Sequence, residues 1–325
     1  MSGAVSQRVL VTGASGFVGR SLTAKLLAQG YEVVTLSRSP MPPSLAGNVT
    51  HIEADLLDAA ALAAALTAAM EGVSIVFHLA SVAHVYGPEQ DELRRIVVAG
   101  TEAVLQAATA AGVSRIVYYS SILAQQAEEG SAQATDYGQV KLQAEKILQA
   151  STAIEAVILR PVNVYGPGMQ GNLQRLVQMI GAGRLPPLPA LTTRMALVSV
   201  ADLAQAAILL AQQASAAGNT YAIADGTDYR LHEIEAAIYR AWGRRQPSWR
   251  CPRVLLYGAA LAMEVIGLVR PARRGLGLRT YRNLVADHCI PDTVALEQLG
   301  FQAQTTFYQE LPALVQATGN PRTDA

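Results

Sequence analysis

The stretch Arg8–Gly19, RVLVTGASGFVG, runs an apolar strand directly into a turn that carries glycines 13, 16 and 19. Gly13 permits a tight turn, Gly16 lets the backbone approach a pyrophosphate, and Gly19 lets the next helix pack closely. The first N–H groups of that helix then face the anion. A structural glycine turn is the alternative, but the place between strand and helix predicts a dinucleotide site. The expected contact residues are Gly13, Ser15, Gly16, Phe17, Val18 and Gly19.

Short apolar runs alternate with helical segments through the first half of the chain. The predicted strands are residues 8–12, 31–36, 50–54, 74–80, 115–120 and 155–161, and the predicted helices are 17–29, 58–70, 91–111 and 137–150. Strands that are apolar on both faces and alternate with helices indicate a parallel sheet covered on both sides. Right-handed crossovers then give an α/β fold with a doubly wound parallel sheet, the Rossmann arrangement.

The pattern changes after Pro161, where prolines and glycines become frequent. Residues 197–212 and 219–226 still predict a helix and a strand that return to the main sheet. We therefore expect a dinucleotide-binding Rossmann domain over residues 1–162, with later contributions from about 195–224. A smaller, mostly helical substrate domain should occupy residues 163–325.

The composition narrows the class of protein. Apolar residues make up 51% and charged residues 15%, which predicts a large core, and the net charge of zero gives no reason to expect nucleic acid. Cys251 and Cys289 lack metal-ligand spacing and suit unpaired thiols in a reducing compartment, so no metal is expected. The sequence enters a strand almost at once without a signal peptide, which predicts a cytoplasmic location.

One long apolar run, Val254–Val269, is short for a membrane span and contains Glu264. Arginines flank it on both sides. A buried or lid helix is the favoured interpretation, and contact with a membrane surface is the less favoured one.

The residues that follow the second strand bear on the choice of dinucleotide. An acidic residue there would bind the ribose 2′-hydroxyl of NAD, but this chain has Ser37 and Arg38. An arginine can pair with a 2′-phosphate, which favours NADP over NAD, and a solvated loop arginine is the alternative. Asp55 and Leu56 should lie near the adenine, and Leu79, Ala80 and Ser81 should line the nucleotide groove.

Tyr137 and Lys141 stand four residues apart on the apolar face of a predicted helix. A lysine there either snorkels outward or serves as a buried ammonium that lowers the pKa of the phenol and binds a ribose. Ser120 and Ser121 end the strand that should lie beside this helix. Serine, tyrosine and lysine beside a nucleotide groove together indicate a hydride-transfer site.

Several segments resemble the extended short-chain dehydrogenase/reductase family, in its NAD-dependent epimerase/dehydratase group. They are TGASGFVG, FHLASVAHV, YYSS, YGQVKLQAE, RPVNVYGPG, LVSVADLAQA and PDTVALEQLGF, and they extend over nearly the whole chain. The resemblance is greatest to bacterial nucleotide-sugar 4-epimerases and 4-ketoreductases.

This resemblance implies roles for individual residues. Tyr137 is implied as the acid/base, Lys141 as its partner, and Ser121, with Ser120 beside it, as the donor to the substrate oxygen. Tyr137, Lys141 and Pro161 would also contact the dinucleotide. Asn163, Asn172, Leu173 and Arg194 match positions that bind a nucleoside diphosphate sugar. A homodimer and a small-molecule substrate are expected.

Three departures from the family pattern concern the substrate side. ILAQQAEEG follows Ser121, only 16 positions separate Ser121 from Tyr137, and Val97 replaces the usual asparagine. No glutamate is visible next to Ser121, which argues against dehydratase chemistry. His78 is expected to be a core histidine, and His84 a possible substrate contact.

Epimerase and reductase share every residue named above, so both remain open. A reductase of an apolar, steroid-like or flavonoid-like ketone is an alternative, since the same fold permits it. A non-catalytic NADP sensor is a second alternative, but retention of Ser121, Tyr137 and Lys141 speaks against it.

Overall fold

The structure is a computed structural model, and it describes residues 7–81, 90–269, 277–286 and 288–318. Its strands are β1 (Arg8–Thr12), β2 (Glu32–Ser37), β3 (Thr50–Glu53), β4 (Ile75–His78), β5 (Arg115–Tyr119), β6 (Glu155–Pro161), β7 (Asn163–Tyr165), β8 (Arg194–Met195), β9 (Leu197–Ser199), β10 (Thr220–Ile223) and β11 (Tyr229–Arg230). Its α-helices are α1 (Phe17–Ala28), α2 (Pro43–Ala46), α3 (Ala59–Ala69), α4 (Gln90–Arg94), α5 (Gly100–Ala110), α6 (Ile122–Glu128), α7 (Asp136–Ala150), α8 (Asn172–Ala182), α9 (Val200–Gln212), α10 (Leu231–Ala241), α11 (Arg253–Val269), α12 (Leu278–Val285), α13 (Val294–Gln298) and α14 (Phe307–Ala317).

The chain divides into two compact units, the first within residues 1–162, 200–223 and 291–302. Its sheet has seven strands in the order β10-β6-β5-β4-β1-β2-β3, and the strands pair in parallel throughout. The central strands β1, β4 and β5 are buried along nearly their whole length because helices cover both faces. The predicted doubly wound parallel sheet is confirmed.

The predicted single helix over residues 91–111 is wrong in detail. It consists of α4, a π-helical turn over Arg95–Ala99, and α5. Val97, which is 1% exposed, lies inside this turn, and its carbonyl accepts a hydrogen bond from Thr101 Oγ1 at 2.6 Å. Such a side-chain bond competes with the regular backbone ladder, and π-helical turns are frequent at functional sites.

The second unit lies within residues 163–199, 224–290 and 303–325. It holds two small sheets, parallel β7 with β9 and antiparallel β8 with β11, and the helices α8, α10, α11, α12 and α14. Helices thus dominate this unit, as expected of a mostly helical C-terminal part. Residues 195–199 lie in this unit, whereas α9 and β10 lie in the first unit.

The apolar run Val254–Val269 forms most of α11, and the expectation that it is buried is wrong. Six of its large apolar side chains are between 37% and 78% exposed. In the part of the chain that the structure describes, no helix is long and apolar enough to span a bilayer.

Candidate active site

The glycine-rich turn that joins β1 to α1 is packed closely against neighbouring backbone. Gly13 has φ of +70°, and a Cβ there would lie 2.8 Å from the backbone nitrogen of Ala80. A Cβ at Gly19 would collide with the carbonyl oxygen of Gly13. Gly13 therefore serves the turn and its close approach to the end of β4, and Gly19 lets α1 start directly above that turn.

The start of α1 can accept an anion. Gly16 is the N-cap residue, is exposed, and supplies no side-chain bond to the first N–H groups of the helix. Ser15, Phe17 and Val18 surround these groups and are half-buried. Uncapped N–H groups beside a glycine are suited to the pyrophosphate of a dinucleotide.

The ends of β2 and β3 contain the residues expected near the adenosine. Ser37 is buried and donates its hydroxyl to the Ser39 carbonyl at 2.8 Å, whereas Arg38 is exposed. Asp55 Oδ1 accepts a hydrogen bond from the backbone of Leu57 at 3.0 Å, and Leu56 packs against the core. Of these side chains, Arg38 has the greatest freedom to meet a ligand.

His78 is a satisfied core histidine, as the sequence suggests. It is 1% exposed, and its two ring nitrogens hydrogen-bond Thr12 Oγ1 at 2.7 Å and Thr101 Oγ1 at 3.1 Å. Burial lowers the pKa of His78 to about 3, with a further lowering from Lys141. The neutral ring fixes the end of β4, where Leu79, Ala80 and Ser81 turn toward the site. His84 lies outside the described residues.

The two serines after β5 have different surroundings. Ser120 is 5% exposed and donates its hydroxyl to the buried carboxylate of Glu145. Ser121 is half-buried, caps α6, and accepts a hydrogen bond from the Leu123 backbone at 3.2 Å. Since its own hydroxyl proton is not used in that bond, we expect Ser121 rather than Ser120 to donate to a substrate oxygen.

Tyr137 lies in the first turn of α7, close to Ser81 and above Lys141. Burial raises the pKa of Tyr137 to about 12, and the Ser81 hydroxyl lowers it. Gly138 brings α7 against α6, because a Cβ there would collide with the Leu123 carbonyl oxygen. The short segment between Ser121 and Tyr137 thus contains α6, which packs against the helix that carries the tyrosine.

Lys141 is 1% exposed, so the alternative of a lysine that snorkels to solvent is wrong. Its Nζ donates to the Tyr119 carbonyl at 2.7 Å and lies 4.7 Å from the ring centre of Tyr118 and 5.8 Å from that of Tyr137. Burial lowers the pKa of Lys141 to about 7, and the Glu145 charge partly offsets this. The pKa of Tyr137 is raised by burial and lowered by the Ser81 hydroxyl, and the expected lowering by Lys141 is not found.

Glu145 is the residue that sequence reasoning missed. It is fully buried, pairs with Arg160 at 2.5 Å, and accepts the Ser120 hydroxyl, while Glu128 pairs with the same arginine at 2.7 Å. This glutamate contacts Ser120, whereas the sequence argument concerned a glutamate next to Ser121. Both oxygens of Glu145 are engaged, so it stabilises the position of Ser120 and is not a free acid. Glu145 stands four residues after Lys141 and so lies on the same face of α7, and this spacing was the sequence signal for its burial.

In the second unit, three polar residues come together through hydrogen bonds. Asn163 Nδ2 donates to His288 Nδ1 at 2.9 Å, and the His288 backbone donates to the Arg194 carbonyl at 3.0 Å. Arg194 Nε also pairs with Asp228 at 2.9 Å, with 46% of its side chain exposed. His288 is a further residue that sequence reasoning did not place in the site.

The start of α8 carries two more of the expected substrate contacts. Gly171 is the N-cap residue at φ of +96° and provides no side-chain cap, Asn172 is exposed, and Leu173 is half-buried.

Pro161 ends β6 in the first unit and is half-buried. Among the residues that the structure describes, no cluster of His, Cys, Asp and Glu could hold a metal ion.

Known proteins resemble this chain over most of its length. The model of the NAD dependent epimerase/dehydratase family matches residues 9–224. The 3 beta-hydroxysteroid dehydrogenase/Delta 5-->4-isomerase of Mycobacterium tuberculosis is 30% identical over 268 residues, which cover 75% of this chain and 71% of that protein. The UDP-glucose 4-epimerase of Vibrio cholerae is 28% identical over 265 residues, which cover 75% and 78%.

Solved structures show the same fold. MoeE5 in complex with UDP-glucose and NAD superimposes with a TM-score of 0.74 at 24% identity, covering 98% of this chain and all of that chain. The family model covers most of the sheet, the glycine-rich turn and the Tyr137–Lys141 helix. This chain is an enzyme that uses NAD(P) and belongs to the NAD-dependent epimerase/dehydratase family of extended short-chain dehydrogenases/reductases.

Proposed function

We propose that this enzyme transfers hydride at a secondary alcohol or ketone of a nucleoside diphosphate sugar, as a 4-epimerase or a 4-ketoreductase. The bound nicotinamide supplies the donor and acceptor of hydride. Tyr137 moves the proton on the sugar oxygen, Ser121 donates a hydrogen bond to that oxygen, and Lys141 lies beneath the phenol, where it is charged below its pKa of about 7.

The protonation state of Tyr137 decides which half of the hydride transfer it is ready to assist. A phenol with a pKa of about 12 keeps its proton at neutral pH. It is then ready to donate to a ketone oxygen, which is the reductive step, whereas the oxidative step needs the phenolate. The exposed Arg38, which suits NADP, favours the ketoreductase slightly over the epimerase.

The grouping of Asn163, His288 and Arg194 is the observation that carries the substrate class. It puts the amide of Asn163 beside the imidazole of His288, whose backbone bonds the carbonyl of Arg194, while the Arg194 guanidinium pairs with Asp228. These groups bind phosphate oxygens well, and Arg194 adds charge. The uncapped start of α8 offers further N–H groups. The dinucleotide has its own phosphate site at α1, so this second set suits a second diphosphate.

Arg194→Ala should weaken the binding of free UDP to the dinucleotide-saturated enzyme on the order of tenfold, because a charge-assisted hydrogen bond is lost. Isothermal calorimetry measures this without knowledge of the sugar. Dinucleotide affinity should stay unchanged. KM for the sugar nucleotide should rise, since the contact does not touch the reacting carbon.

Arg230→Ala is the matched control for this experiment. Arg230 pairs with Arg194 across the β8–β11 ladder, lies 3.6 Å from the same Asp228, and is 42% exposed. Its removal costs the same charge, so UDP affinity should stay close to that of the wild type. Equal losses of UDP affinity in both variants would mean that Arg194 acts through its general positive charge and not through a direct contact with the ligand. Absence of binding of UDP, dTDP and GDP to the wild type would overturn the substrate class.

We propose further that NADP is preferred over NAD. The exposed Arg38 after β2 supports this, because its guanidinium can pair with the 2′-phosphate. Arg38→Ala should weaken NADP binding by roughly ten- to a hundredfold, the worth of a charge-assisted pair, and leave NAD almost unchanged. Fluorescence titration with both dinucleotides measures the ratio. Equal losses for NADP and NAD would contradict the preference.

A second candidate is a dehydrogenase or reductase of an apolar, steroid-like alcohol or ketone. The 30% identity to the mycobacterial 3 beta-hydroxysteroid dehydrogenase favours it. It would use the same Tyr137, Lys141 and Ser121 but would have no use for Arg194. A wild-type enzyme that binds no nucleoside diphosphate but is stabilised against heat by a steroid would therefore put this candidate first.

A further inference from the structure

Helix α11 has one face packed against its own unit. Leu256 and Met263 are half-buried and Ala260 is 7% exposed. The neighbouring helix α12 contacts α11, where the rings of Tyr257 and Tyr281 lie 5.4 Å apart. Glu264, the acidic residue of α11, accepts a hydrogen bond from the Leu278 backbone at 3.0 Å. The helix is thus anchored on this side.

The opposite face of α11 is apolar and exposed. Its residues recur at helical spacing, which puts them in one continuous stripe. They are Val254 (78% exposed), Leu255 (63%), Leu261 (45%), Val265 (56%) and Ile266 (37%), with Tyr257 (47%) at the edge. We call these six residues the α11 stripe. Proteins rarely leave so many adjacent large apolar side chains in water without a partner for them.

The sequence around the stripe is strongly basic. Residues 240–282 contain ten of the 25 Lys and Arg residues and one of the 25 Asp and Glu residues, a formal charge of +9 in a chain of net charge zero. The rest of the chain therefore carries a formal charge of −9. Arg245, Arg253 and Arg282 are exposed, whereas Arg250 forms an ion pair with Glu235. A partner for this arginine-rich segment should be anionic.

A second copy of this chain is a poor partner for the stripe. A symmetric contact through α11 would bring two segments of the same high positive charge together, which opposes association. An anionic bilayer surface meets both requirements instead, since its headgroups attract arginines and its acyl boundary accepts apolar side chains. Trp249, which is 58% exposed, and Tyr257 are of the residue types enriched at membrane–water interfaces.

We propose that the α11 stripe and the exposed arginines Arg245, Arg253 and Arg282 dock this enzyme onto an anionic membrane surface. The helix lies in the plane of the interface, with the stripe in the headgroup and acyl boundary and the arginines against lipid phosphates. It does not cross the bilayer.

Flotation with lipid vesicles tests this proposal on the full chain. Wild-type protein should bind vesicles of equal parts phosphatidylglycerol and phosphatidylcholine at low salt, and should be released as salt is raised. It should bind pure phosphatidylcholine vesicles much more weakly. Val265→Glu puts a charge in the middle of the stripe and should lower the bound fraction on the order of tenfold.

Val294→Glu is the matched control, because Val294 is 52% exposed on α13 in the other unit and the substitution is identical. It should bind vesicles like the wild type. Circular dichroism and dinucleotide titration should show both variants to be folded.

Three results would overturn the proposal. One is the absence of wild-type binding to the anionic vesicles at low salt, and another is equal binding by the two valine variants. The third is a dimer, seen by analytical ultracentrifugation, that Val265→Glu dissociates and salt strengthens. That result would assign the stripe to a second copy of the chain.

Discussion

Tyr137→Phe should lower turnover on the order of a hundredfold or more, which is the usual worth of a positioned acid/base. The phenylalanine ring keeps the packing beside Lys141, so the affinity for the dinucleotide should hardly change. Steady-state kinetics together with a dinucleotide titration separate the two effects. In the wild type, the oxidative rate should rise as pH increases above neutral, because the phenol with its pKa of about 12 must lose its proton first.

Tyr118→Phe is the matched control for that experiment. Tyr118 is 1% exposed, and its ring lies even closer to the Lys141 ammonium, at 4.7 Å. It loses the same hydroxyl group, but it has no access to a substrate. Turnover should therefore remain near that of the wild type. If Tyr137→Phe turned over as fast as the wild type, or if both variants lost the same turnover, Tyr137 would have no special role in proton transfer.

Lys141→Met should abolish most of the turnover and yet raise the free energy of unfolding at neutral and acidic pH. The methionine fills a similar volume without burying a charge, and Glu145 keeps its pair with Arg160. Dinucleotide affinity should fall as well, because the ammonium is expected to bind a ribose hydroxyl. Thermal unfolding and kinetics of the same preparations measure both effects.

The sign of the pH dependence follows from the pKa of Lys141. It is about 7 in the folded chain and 10.5 ordinarily, so between these values the unfolded chain binds the extra proton. Wild-type stability should therefore gain up to about 1.4 kcal/mol per pH unit from this group across that window. The advantage of Lys141→Met is largest below pH 7 and declines as pH rises.

Lys146→Met provides the control, since Lys146 is exposed on the same helix. It should change neither turnover nor the pH dependence of stability. A Lys141→Met protein that is less stable than the wild type at every pH would mean that the lysine contributes mainly to the fold.

The sequence predicted the parts of this site that depend on local spacing. The turn from Gly13 to Gly19 follows from three glycines between a strand and a helix, and the structure shows the close approaches that require them. Tyr137 and Lys141 follow from a spacing of four on one helical face. Such features need no knowledge of distant residues, because a single turn or helix contains them.

The features that were missed depend on contacts between distant residues. Asn163 and His288 are 125 residues apart, and only the folded second unit brings them within hydrogen-bonding distance. Glu145 looked like an ordinary polar helix residue until Arg160 and Ser120 surrounded it. The apolar character of α11 is visible in the sequence, but whether a face is covered depends on what packs against it.

Tyr137 is proposed to enable hydride transfer between the dinucleotide and a nucleoside diphosphate sugar. The most direct measurement mixes enzyme, oxidised dinucleotide and UDP-, dTDP- or GDP-hexoses, and follows both the absorbance of reduced nicotinamide and the conversion of each sugar to its C4 epimer. We expect at least one sugar to give one of these two signals with the wild type and Tyr118→Phe, and Tyr137→Phe to give it at a rate lower by a hundredfold or more. An equal rate in Tyr137→Phe, or the absence of both signals with all of these sugars in the wild type, would contradict the proposal.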